Sequence, residues 1–522
     1  MTRVKHILRG MAACILAFTC IMPARAGQDD TPLDRKIRLS GQKGTVYRLL
    51  KEVSAQSGFL FVYDSRTVDN DRRTSISKGE YTLGDAIRII TRKPALLIDV
   101  QGNHILLRPA AKDGQVAEAG GQPADKDGKN RRVIHGSLHD LETKDPIVYA
   151  TVSLPNTSVG TVSNLHGEFR LVIPDSLRDS VVRFSHIGYE SREVDAMLLA
   201  GQTVDFPLEP KVVPLQEVEV VRVNPVREIR EMLQRREENY PAAPVFLTAF
   251  YREGIEHGRK LIDLSEAVLE IYKTGYHADV AGDQVKLVRK RRVTHVQAGD
   301  TILPKMKSGI GSCLILDIMK ELPDFINPDD ETQYHYTHEA VSVVDDRLVN
   351  VISFRQKPQM EEPLFIGELY IENRRKALEE IRFEVDPAHA DKATNLFVDR
   401  KAHNLKLTLR QAAYIVSYKP LHPHSPYYIS HVRGDILFRV RKKGRLFSVP
   451  LHFWFEMVTC RIDTVDVRTI PRSERLSPNR IFAETGHVYD KDFWENFNII
   501  LPEEKLKETL INSISEVVVQ GR

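Results

Sequence analysis

Residues 160–171 read Gly160-Thr-Val-Ser-Asn-Leu-His-Gly-Glu-Phe-Arg-Leu, and residues 184–191 read Phe184-Ser-His-Ile-Gly-Tyr-Glu-Ser. Both pieces sit in a longer stretch, residues 133–221, that repeats with a period of two. Val148, Ala150, Val152 and Leu154 alternate with Tyr149, Thr151 and Ser153. Asn164, His166 and Gly167 interrupt, and then Phe169, Leu171 and Ile173 resume. Successive side chains of a strand point to opposite faces, so an apolar residue at every second place gives one buried face. Short runs of this kind, separated by Gly, Asn, Asp and Pro, predict a small antiparallel β-sandwich.

The same stretch resembles a known family. Ile134-His-Gly, Asp140-Leu-Glu-Thr-Lys-Asp-Pro, Ala150-Thr-Val, Gly160-Thr-Val-Ser, Gly167-Glu-Phe and Ile187-Gly-Tyr match the carboxypeptidase regulatory-like domain. The closing Pro214-Leu-Gln-Glu-Val-Glu-Val resembles the run that leads into the plug of a TonB-dependent receptor. The resemblance implies a sandwich that binds or spaces and does not catalyse. A receptor would continue into a plug and a many-stranded barrel, and the residues left after 221 are too few for one. The chain therefore resembles the N-terminal part of TonB-dependent transducers without plug and barrel.

Towards the N-terminus, Arg3, Lys5 and Arg9 precede an apolar run at residues 11–22 that is short for a membrane span. Ala24-Arg-Ala26 before Gly27 then has the small-x-small form of a cleavage site, so residues 1–26 read as a secretory signal peptide. A lipoprotein signal using Cys20 is the competing reading. Residues 34–108 alternate strand and helix patterns. Residues 45–57 place Val46, Leu49, Leu50 and Val53 on one helical face behind a Thr45 cap, with Gly58 as the stop. Thr82 caps a second helix with Leu83, Ala86, Ile87 and Ile90 inward. The result is a βαβ–βαββ arrangement that resembles the secretin and TonB N-terminal short domain. That resemblance implies a periplasmic domain that docks a protein partner, in signalling receptors an anti-sigma-type regulator. Residues 109–132 lack a periodic apolar face and read as a flexible linker of about 25–30 Å average reach.

Towards the C-terminus, Asn224 and Pro225 suit a cap and first turn for a linker helix within residues 222–245, striped by Val226, Ile229, Met232 and Leu233. Residues 246–522 then read as a large antiparallel, β-rich α+β domain of unassigned function. Strands are expected near 246, at 263–272, 339–354, 365–371, 378–385, 405–418, 427–440, 445–459 and 464–469, with a closing helix at 502–513 and a strand at 517–519. The hairpin at 367–383 faintly resembles those of lipoprotein-carrier half-barrels. Asn239-Tyr-Pro, Phe250-Tyr-Arg-Glu and Asp492-Phe-Trp-Glu resemble envelope proteins known only by their regulatory-like domain.

Composition sets further bounds. In 522 residues the net charge is +3, which gives no polyanion-binding bias and argues against nucleic acid as partner. Hydrophobic residues make up 42%, enough for buried cores throughout. Four cysteines occur, two of them, Cys14 and Cys20, in the leader, so Cys313 and Cys460 could pair or stay free. His139-Asp-Leu-Glu142 is a His-x-x-Glu pair of the kind a zinc peptidase needs, but it falls in the first hairpin of the sandwich, where the resemblance implies a turn and not a metal. His422, His424 and His431 cluster around two prolines and read as an exposed loop. Ser40-x-x-Lys43 and Ser75-x-x-Lys78 match a Ser–Lys spacing of the kind charged chains produce by chance. Lys286 to Arg292 reads as a solvated basic hairpin. Tyr414, Tyr418, Tyr427, Tyr428, Phe453 and Trp454 fall at strand spacing and read as core rather than groove. Four Asp-Ser/Thr-apolar triplets, at Asp175, Asp179, Asp300 and Asp463, resemble an O-glycosylation sequon.

These observations point to a multidomain, non-enzymatic, exported adaptor or sensor in the periplasm or at the outer membrane. It needs no cofactor or metal, and the mature chain needs no transmembrane span. The alternative is a carrier of a lipid or other hydrophobic ligand in the C-terminal β domain, and an unrecognised hydrolase stands third. The carrier reading requires strands curved round an apolar cavity of several hundred Å3, as ligand sites generally have.

Overall fold

The computed structural model describes residues 31–63, 68–69, 72–93, 96–101, 104–109, 132–199, 203–211, 223–258, 260–294, 305–306, 309–329, 332–400, 405–444, 446–477, 482, 493–494 and 497–502. The leader with Ala24, Ala26 and Gly27, the linker at 110–131, the 214–220 run, Asp300, Asp492 and the closing helix and strand lie outside them. The chain divides into two compact units, residues 1–61 with 69–105 and residues 62–68 with 106–522.

In chain order the first elements are β1 (Lys36–Leu39), β2 (Gln42–Thr45), α1 (Val46–Ser57), β3 (Leu60–Tyr63), β4 (Arg73–Ile76), β5 (Gly79–Thr82), α2 (Leu83–Thr91), β6 (Leu96–Gln101) and β7 (His104–Pro109). The Thr45 side chain accepts from the Arg48 amide at 3.3 Å, and the Thr82 side chain from the Asp85 amide at 3.1 Å. Gly58, in the left-handed region at φ 77°, ends α1. Val46, Leu49, Leu50 and Val53 of α1 and Leu83, Ala86, Ile87 and Ile90 of α2 are buried, as the helical spacing predicts. Two short antiparallel pairs, β1 with β5 and β2 with β4, were not separate in the sequence pattern.

The second unit begins with the sandwich: β8 (Arg132–Asp140), β9 (Thr151–Ser153), β10 (Gly160–Val162), β11 (Glu168–Ile173), β12 (Val181–Ser185), β13 (Arg192–Asp195), the short α3 (Ala196–Leu199) and β14 (Thr203–Leu208). Its two sheets run β10-β9-β12-β13 and β11-β8-β14. The β14–β8 pair is parallel, so the sandwich departs from the fully antiparallel expectation at one edge. Phe184 sits between Phe169 and Phe206, with ring centroids 5.4 and 4.8 Å apart.

Next come α4 (Pro225–Gln234) and α5 (Arg236–Asn239). Asn224 Oδ1 accepts from the Arg227 amide at 3.1 Å, as a cap should. Ile229 and Met232 are buried, and the buried Glu228 takes Lys376 at 2.7 Å and Asn350 at 2.8 Å.

The remaining elements are β15 (Val245–His257), β16 (Lys260–Lys273), β17 (Gln284–Thr294), β18 (Lys305–Met306), α6 (Gly309–Ile315), β19 (Tyr334–Val344), β20 (Arg347–Gln356), β21 (Phe365–Glu372), β22 (Leu378–Val385), α7 (Thr394–Phe397), β23 (Val398–Arg400), β24 (Leu405–Pro420), β25 (Tyr427–Lys442), β26 (Val449–Asp463) and β27 (Arg475–Leu476). Eleven of these strands form one sheet, in the order β19-β20-β21-β22-β24-β25-β26-β15-β16-β17-β27. Its named pairings are all antiparallel. The stretch expected as one strand at 339–354 belongs to two. Asp345 and Asp346 turn the chain between β19 and β20 with φ 45° and 61°, the double left-handed geometry of a tight hairpin turn. Residues 286–292 lie on β17, paired along their length with β16 and at Lys286 also with β27, and are not a solvated hairpin. Residues 464–469 form no strand.

The sheet curls. Neighbouring strands lie about 4.8 Å apart, so a flat sheet of this width would separate its outer strands by roughly 40–50 Å. Residues 309–326 nevertheless reach both sides. Phe325 packs on Tyr334 of β19 and Phe354 of β20 at 6.4 and 4.9 Å, and on Phe365 and Phe383 of β21 and β22 at 5.5 and 5.1 Å. Asp317 meets Lys273 of β16 at 2.7 Å, and Lys320 meets Asp283, just before β17, at 2.6 Å. The concave side is filled by this segment and by inward side chains. Tyr414, Tyr418, Tyr427, Tyr428 and Phe453 are part of that core, while Trp454 is buried on the convex side.

A row of charge crosses the convex face. Arg433, Glu456, Arg252, Glu266 and Arg291 are register neighbours on β25, β26, β15, β16 and β17. Glu456 accepts from Arg252 Nε at 2.8 Å and stands 3.3 Å from Arg433; Glu266 pairs with Arg291. Trp454 lies under Arg252 and Arg433 at 5.3 and 5.4 Å. Gly254, directly across from Trp454, leaves room for that indole: a Cβ there would stand 2.5 Å from the ring. The sandwich and residues 493–494 and 497–502 cover this face. Val162 joins Phe250, Val268, Val458, Trp494 and Ile500 in one cluster; Arg170 donates to the Phe497 carbonyl at 2.7 Å; Tyr149 lies 4.9 Å from His431.

Candidate functional site

The roof does not close everywhere. Between the sandwich and the convex face runs a cleft of about 670 Å3. Its sandwich wall is the β9–β10 loop. Asn156 there takes φ 60°, the Thr157 hydroxyl donates to the Leu154 carbonyl at 2.8 Å, and the Val159 amide donates to that hydroxyl oxygen at 3.1 Å. This presents Leu154, Pro155 and Val159 to the cleft. The opposite wall comes from three turns of the large sheet, at 345–348, 372–375 and 419–424, and from Tyr428, Val458 and Ile462.

Five cations and three carboxylates line the cleft, and their hydrogen bonds separate structural groups from available ones. Glu372 accepts from the backbone amides of Arg374 and Arg375 at 3.0 and 2.5 Å and so fixes its turn. Arg347 pairs with Glu379 at 2.7 Å, and the Tyr427 hydroxyl donates to Glu379 at 2.9 Å. Burial raises the Glu379 carboxyl to about 7, Arg347 opposing. Arg375 donates to the Ser425 carbonyl at 2.8 Å and covers the Tyr427 ring at 4.7 Å. Burial would raise the Asp345 carboxyl, but Lys419, Arg347 and Arg183 outweigh it and hold the group below the usual carboxylate range. Burial lowers the Lys419 ammonium, Asp345 opposing and Arg183 adding; Lys419 donates to Ser153 at 3.0 Å across the cleft. Asp346 pairs with Lys211 at 3.0 Å. Arg374 is exposed on its turn and makes no ion pair among the described residues. The arrangement is an apolar slot with an excess of positive charge around it. It suits an elongated apolar group that ends in an anion.

Most residues singled out from sequence fall elsewhere or serve the fold; His422, His424 and Tyr428 line the cleft. His139 Nδ1 lies 2.9 Å from Asp205, and Glu142 sits on the following turn, so the His-x-x-Glu pair is part of the sandwich edge. His422 and His424 are exposed in the β24–β25 turn, while His431 is buried under Tyr149 and held to about 4 by burial, so the three are not one cluster. Cys313 and Cys460 are both free. Cys313 lies in the concave core and Cys460 on the convex side with Phe250 and Val458. Ser40 donates to Glu52 at 3.2 Å on the surface. On β17, Lys286 pairs with Glu474 at 2.9 Å, Arg292 with Asp263 at 2.8 Å, and Lys290 donates to the Phe482 carbonyl at 2.6 Å. Those basic side chains are bound into the sheet. Of the cleft residues the sequence singles out Tyr428, as core rather than groove, and His422 and His424, as an exposed loop. The legible signal was the basic turn Arg374-Arg375-Lys376, which hairpin spacing exposes.

Comparison with known proteins agrees with the sandwich. Residues 134–220 match the CarboxypepD_reg-like domain, and the chain therefore carries one. A search of curated proteins found no match. Among solved structures the chain is similar to a domain described as an outer membrane lipoprotein-sorting protein domain of Vibrio parahaemolyticus (9% identity, 47% of this chain and 95% of that one, TM-score 0.21). It is similar to a DUF1329 family protein of Desulfovibrio piger (12% identity, 47% and 96%, TM-score 0.20). It is also similar to a LolA superfamily protein of Nitrosomonas europaea (9% identity, 47% and 96%, TM-score 0.16). Among the described residues no helix is long and apolar enough to cross a membrane, and no group of three or more His, Cys, Asp or Glu side chains is placed to hold a metal ion.

Proposed function

We propose that this chain is an exported envelope protein that binds an amphiphilic ligand, apolar along its length and anionic at one end, without performing chemistry on it. The observation behind this reading is the cleft. Its volume, about 670 Å3, lies within the usual range for small-molecule sites, and a mainly apolar lining with a few placed polar or charged groups is the ordinary design of such sites. The site differs from the one a carrier was expected to have. The curved sheet is filled on its concave side among the described residues, and the space lies on the convex side under the sandwich. Export rests on the leader pattern at residues 1–26. An adaptor role, with an anti-sigma-type regulator or another envelope protein docking on residues 34–108, rests on the resemblance of that domain alone. Ligand binding stands ahead of it because the cleft supports it.

Displacement of a fluorescent fatty-acid probe from the purified full chain tests the reading. Val159→Trp places an indole in the slot, and Lys419→Glu reverses a charge at its edge. Each is expected to weaken probe binding at least tenfold while the circular dichroism spectrum is kept. Absence of probe binding by the wild type, or equal binding by Val159→Trp, overturns the proposal.

A further inference from the structure

Strand β25 starts beside the cleft at Tyr427 and ends at Lys442, a run of 16 residues or about 50 Å. At its far end the β25–β26 hairpin carries a different feature. Leu446 and Phe447, adjacent at the tip, are 91% and 88% exposed, the highest values of any large hydrophobic side chain among the described residues. Val449 behind them is 37% exposed. The sequence from 439 to 450 is Arg-Val-Arg-Lys-Lys-Gly-Arg-Leu-Phe-Ser-Val-Pro, with five basic residues and no acidic one.

The neighbouring strands add to this end. Lys406 of β24 pairs in register with Arg441. The β15–β16 turn comes alongside through the Gly258 amide, which donates to the Pro450 carbonyl at 2.8 Å, and it carries the exposed Lys260. Lys406, Arg439, Arg441, Lys442 and Lys443 are exposed, and none of them makes an ion pair among the described residues. Two bare apolar side chains on a protruding turn, ringed by unneutralised cations, cost solvation in water and have a natural complement. An interface with anionic headgroups above and hydrocarbon below takes both at once. A protein partner would need a concave seat for the protrusion and an acidic collar. A bilayer needs neither.

We propose that the tip of the β25–β26 hairpin docks this protein on an anionic phospholipid surface, with Leu446 and Phe447 entering the interfacial zone and Lys406, Arg441, Lys442 and Lys443 lying over the headgroups. The inference does not depend on the cleft. It requires no transmembrane segment, and it sets the long axis of β25 and β26 across the gap between the membrane and the ligand site.

The test is cosedimentation of the full chain with vesicles of phosphatidylcholine containing 30% phosphatidylglycerol, against phosphatidylcholine alone. Binding to the anionic vesicles and its weakening by high salt are expected. Each basic residue near such a surface contributes about a fivefold factor, so Lys442→Glu with Lys443→Glu should weaken binding by roughly 25-fold or more. Leu446→Ser with Phe447→Ser should weaken it by at least about tenfold, since the buried apolar area is lost. Phe447→Trp should blue-shift its emission on anionic vesicles and be quenched by brominated lipid. Equal binding by the double-serine variant, equal binding to uncharged vesicles, or retention on a polyanionic resin with no vesicle binding would each overturn the proposal. The result is separable from the ligand reading, because Val159→Trp should leave vesicle binding unchanged.

Discussion

Glu456 is the group on which the convex face most depends. It is fully buried, and its carboxylate serves two guanidiniums, those of Arg252 and Arg433, which are 2% and 6% exposed. Glu456→Leu keeps an apolar side chain there and strands Arg252, while Arg433 keeps its bidentate pair with Asp435 at 2.7 and 2.8 Å. Removing one partner of a buried pair typically costs about 3–5 kcal/mol, because the other charge is left without compensation. Arg252 is the one left without its carboxylate, which places the variant within that range rather than above it. One feature pulls it back. Arg252 Nη1 and Glu266 Oε1 have no hydrogen-bond partner and stand 3.9 Å apart, so a shift of under about one ångström would join them. Together these set the loss at about 4 kcal/mol, a large share of the roughly 5–15 kcal/mol by which a domain is stable.

The assay is built into the face. The chain has two tryptophans. Trp454 underlies Arg252 and Arg433, and Trp494 lies 4.5 Å from Arg291. Fluorescence during urea unfolding therefore reports this layer. With a slope of about 2–3 kcal/mol per molar, the midpoint should fall by roughly 1–2 M. Lys286→Ala, which breaks half-exposed pairs to Glu270 and Glu474, should cost under about 1 kcal/mol in the same assay. Arg252→Met combined with Glu456→Leu should lose less than Glu456→Leu alone, since the stranded charge is gone. A shift below about 0.3 M for Glu456→Leu would refute the reasoning and mean that water or rearranged carboxylates reach that guanidinium. The acid limb gives the same answer by another route. Burial would raise the Glu456 carboxyl, but Arg252 and Arg433 outweigh it and lower it from its usual 4.5. A depressed carboxylate contributes stability that is present above its unfolded value and lost as pH falls through the folded one. The wild type should therefore lose this contribution below about pH 4.5, and the variant should not.

Gly254→Ala should destabilise by about 1–3 kcal/mol in the same urea assay, because its Cβ would meet the Trp454 ring at 2.5 Å and the indole is held between two guanidiniums. Glu253 faces the concave core and accepts from the Tyr251 hydroxyl at 2.5 Å; burial raises its carboxyl to about 7. A raised carboxyl contributes stability that is fully present below its unfolded value near 4.5 and is lost as pH rises through 7. Glu253→Gln should therefore unfold later than the wild type at pH 8, by up to about 3 kcal/mol, and the two should converge near pH 4.

The sandwich was legible because its signals are local. Ala150, Val152, Phe169, Leu171 and Ile173 are fully buried at the alternating places their sequence suggests, and turn residues mark most of its breaks. The first helices were legible for the same reason, with Thr45 and Thr82 as caps. Three features were not. The Asp345-Asp346 turn is formed by residues that tolerate positive φ less readily than Asn-Gly, so one long apolar run concealed two strands. Strand β17 carries Lys286, Arg289, Lys290, Arg291 and Arg292, which read as solvent-facing until partners on other strands are supplied. Glu266 and Asp263 are near in sequence, but Glu474 and the Phe482 carbonyl lie far along the chain. The cleft combines a sandwich loop with three turns of another domain, and periodicity within a segment carries no information about such a juxtaposition.

The charge row also explains why the sandwich belongs to the sheet rather than beside it. Buried ion pairs add little net stability over apolar residues of the same size, so energy alone does not account for five charged side chains in a row. Register does. Strands β25, β26, β15, β16 and β17 are long, and a one-residue slip in any of them would send its whole apolar set to the wrong face. With Arg433, Glu456, Arg252, Glu266 and Arg291 alternating in sign, a slip would also push a bare charge into the aromatic concave core and put an apolar residue between two cations. The device works only where water is excluded, and here the exclusion comes from Tyr149, Val162, Trp494, Ile499 and Ile500 lying on that face. The roof rests on the sheet at separate places: Arg170 at Phe497, and Gly188, whose amide donates to the Val343 carbonyl at 2.8 Å beside the Lys211–Asp346 pair. The cleft is the space between those supports. A sandwich that merely spaced two domains could be removed without harm to either. This one should not be separable, because its loss would expose the row that fixes the strands and abolish one wall of the ligand site together.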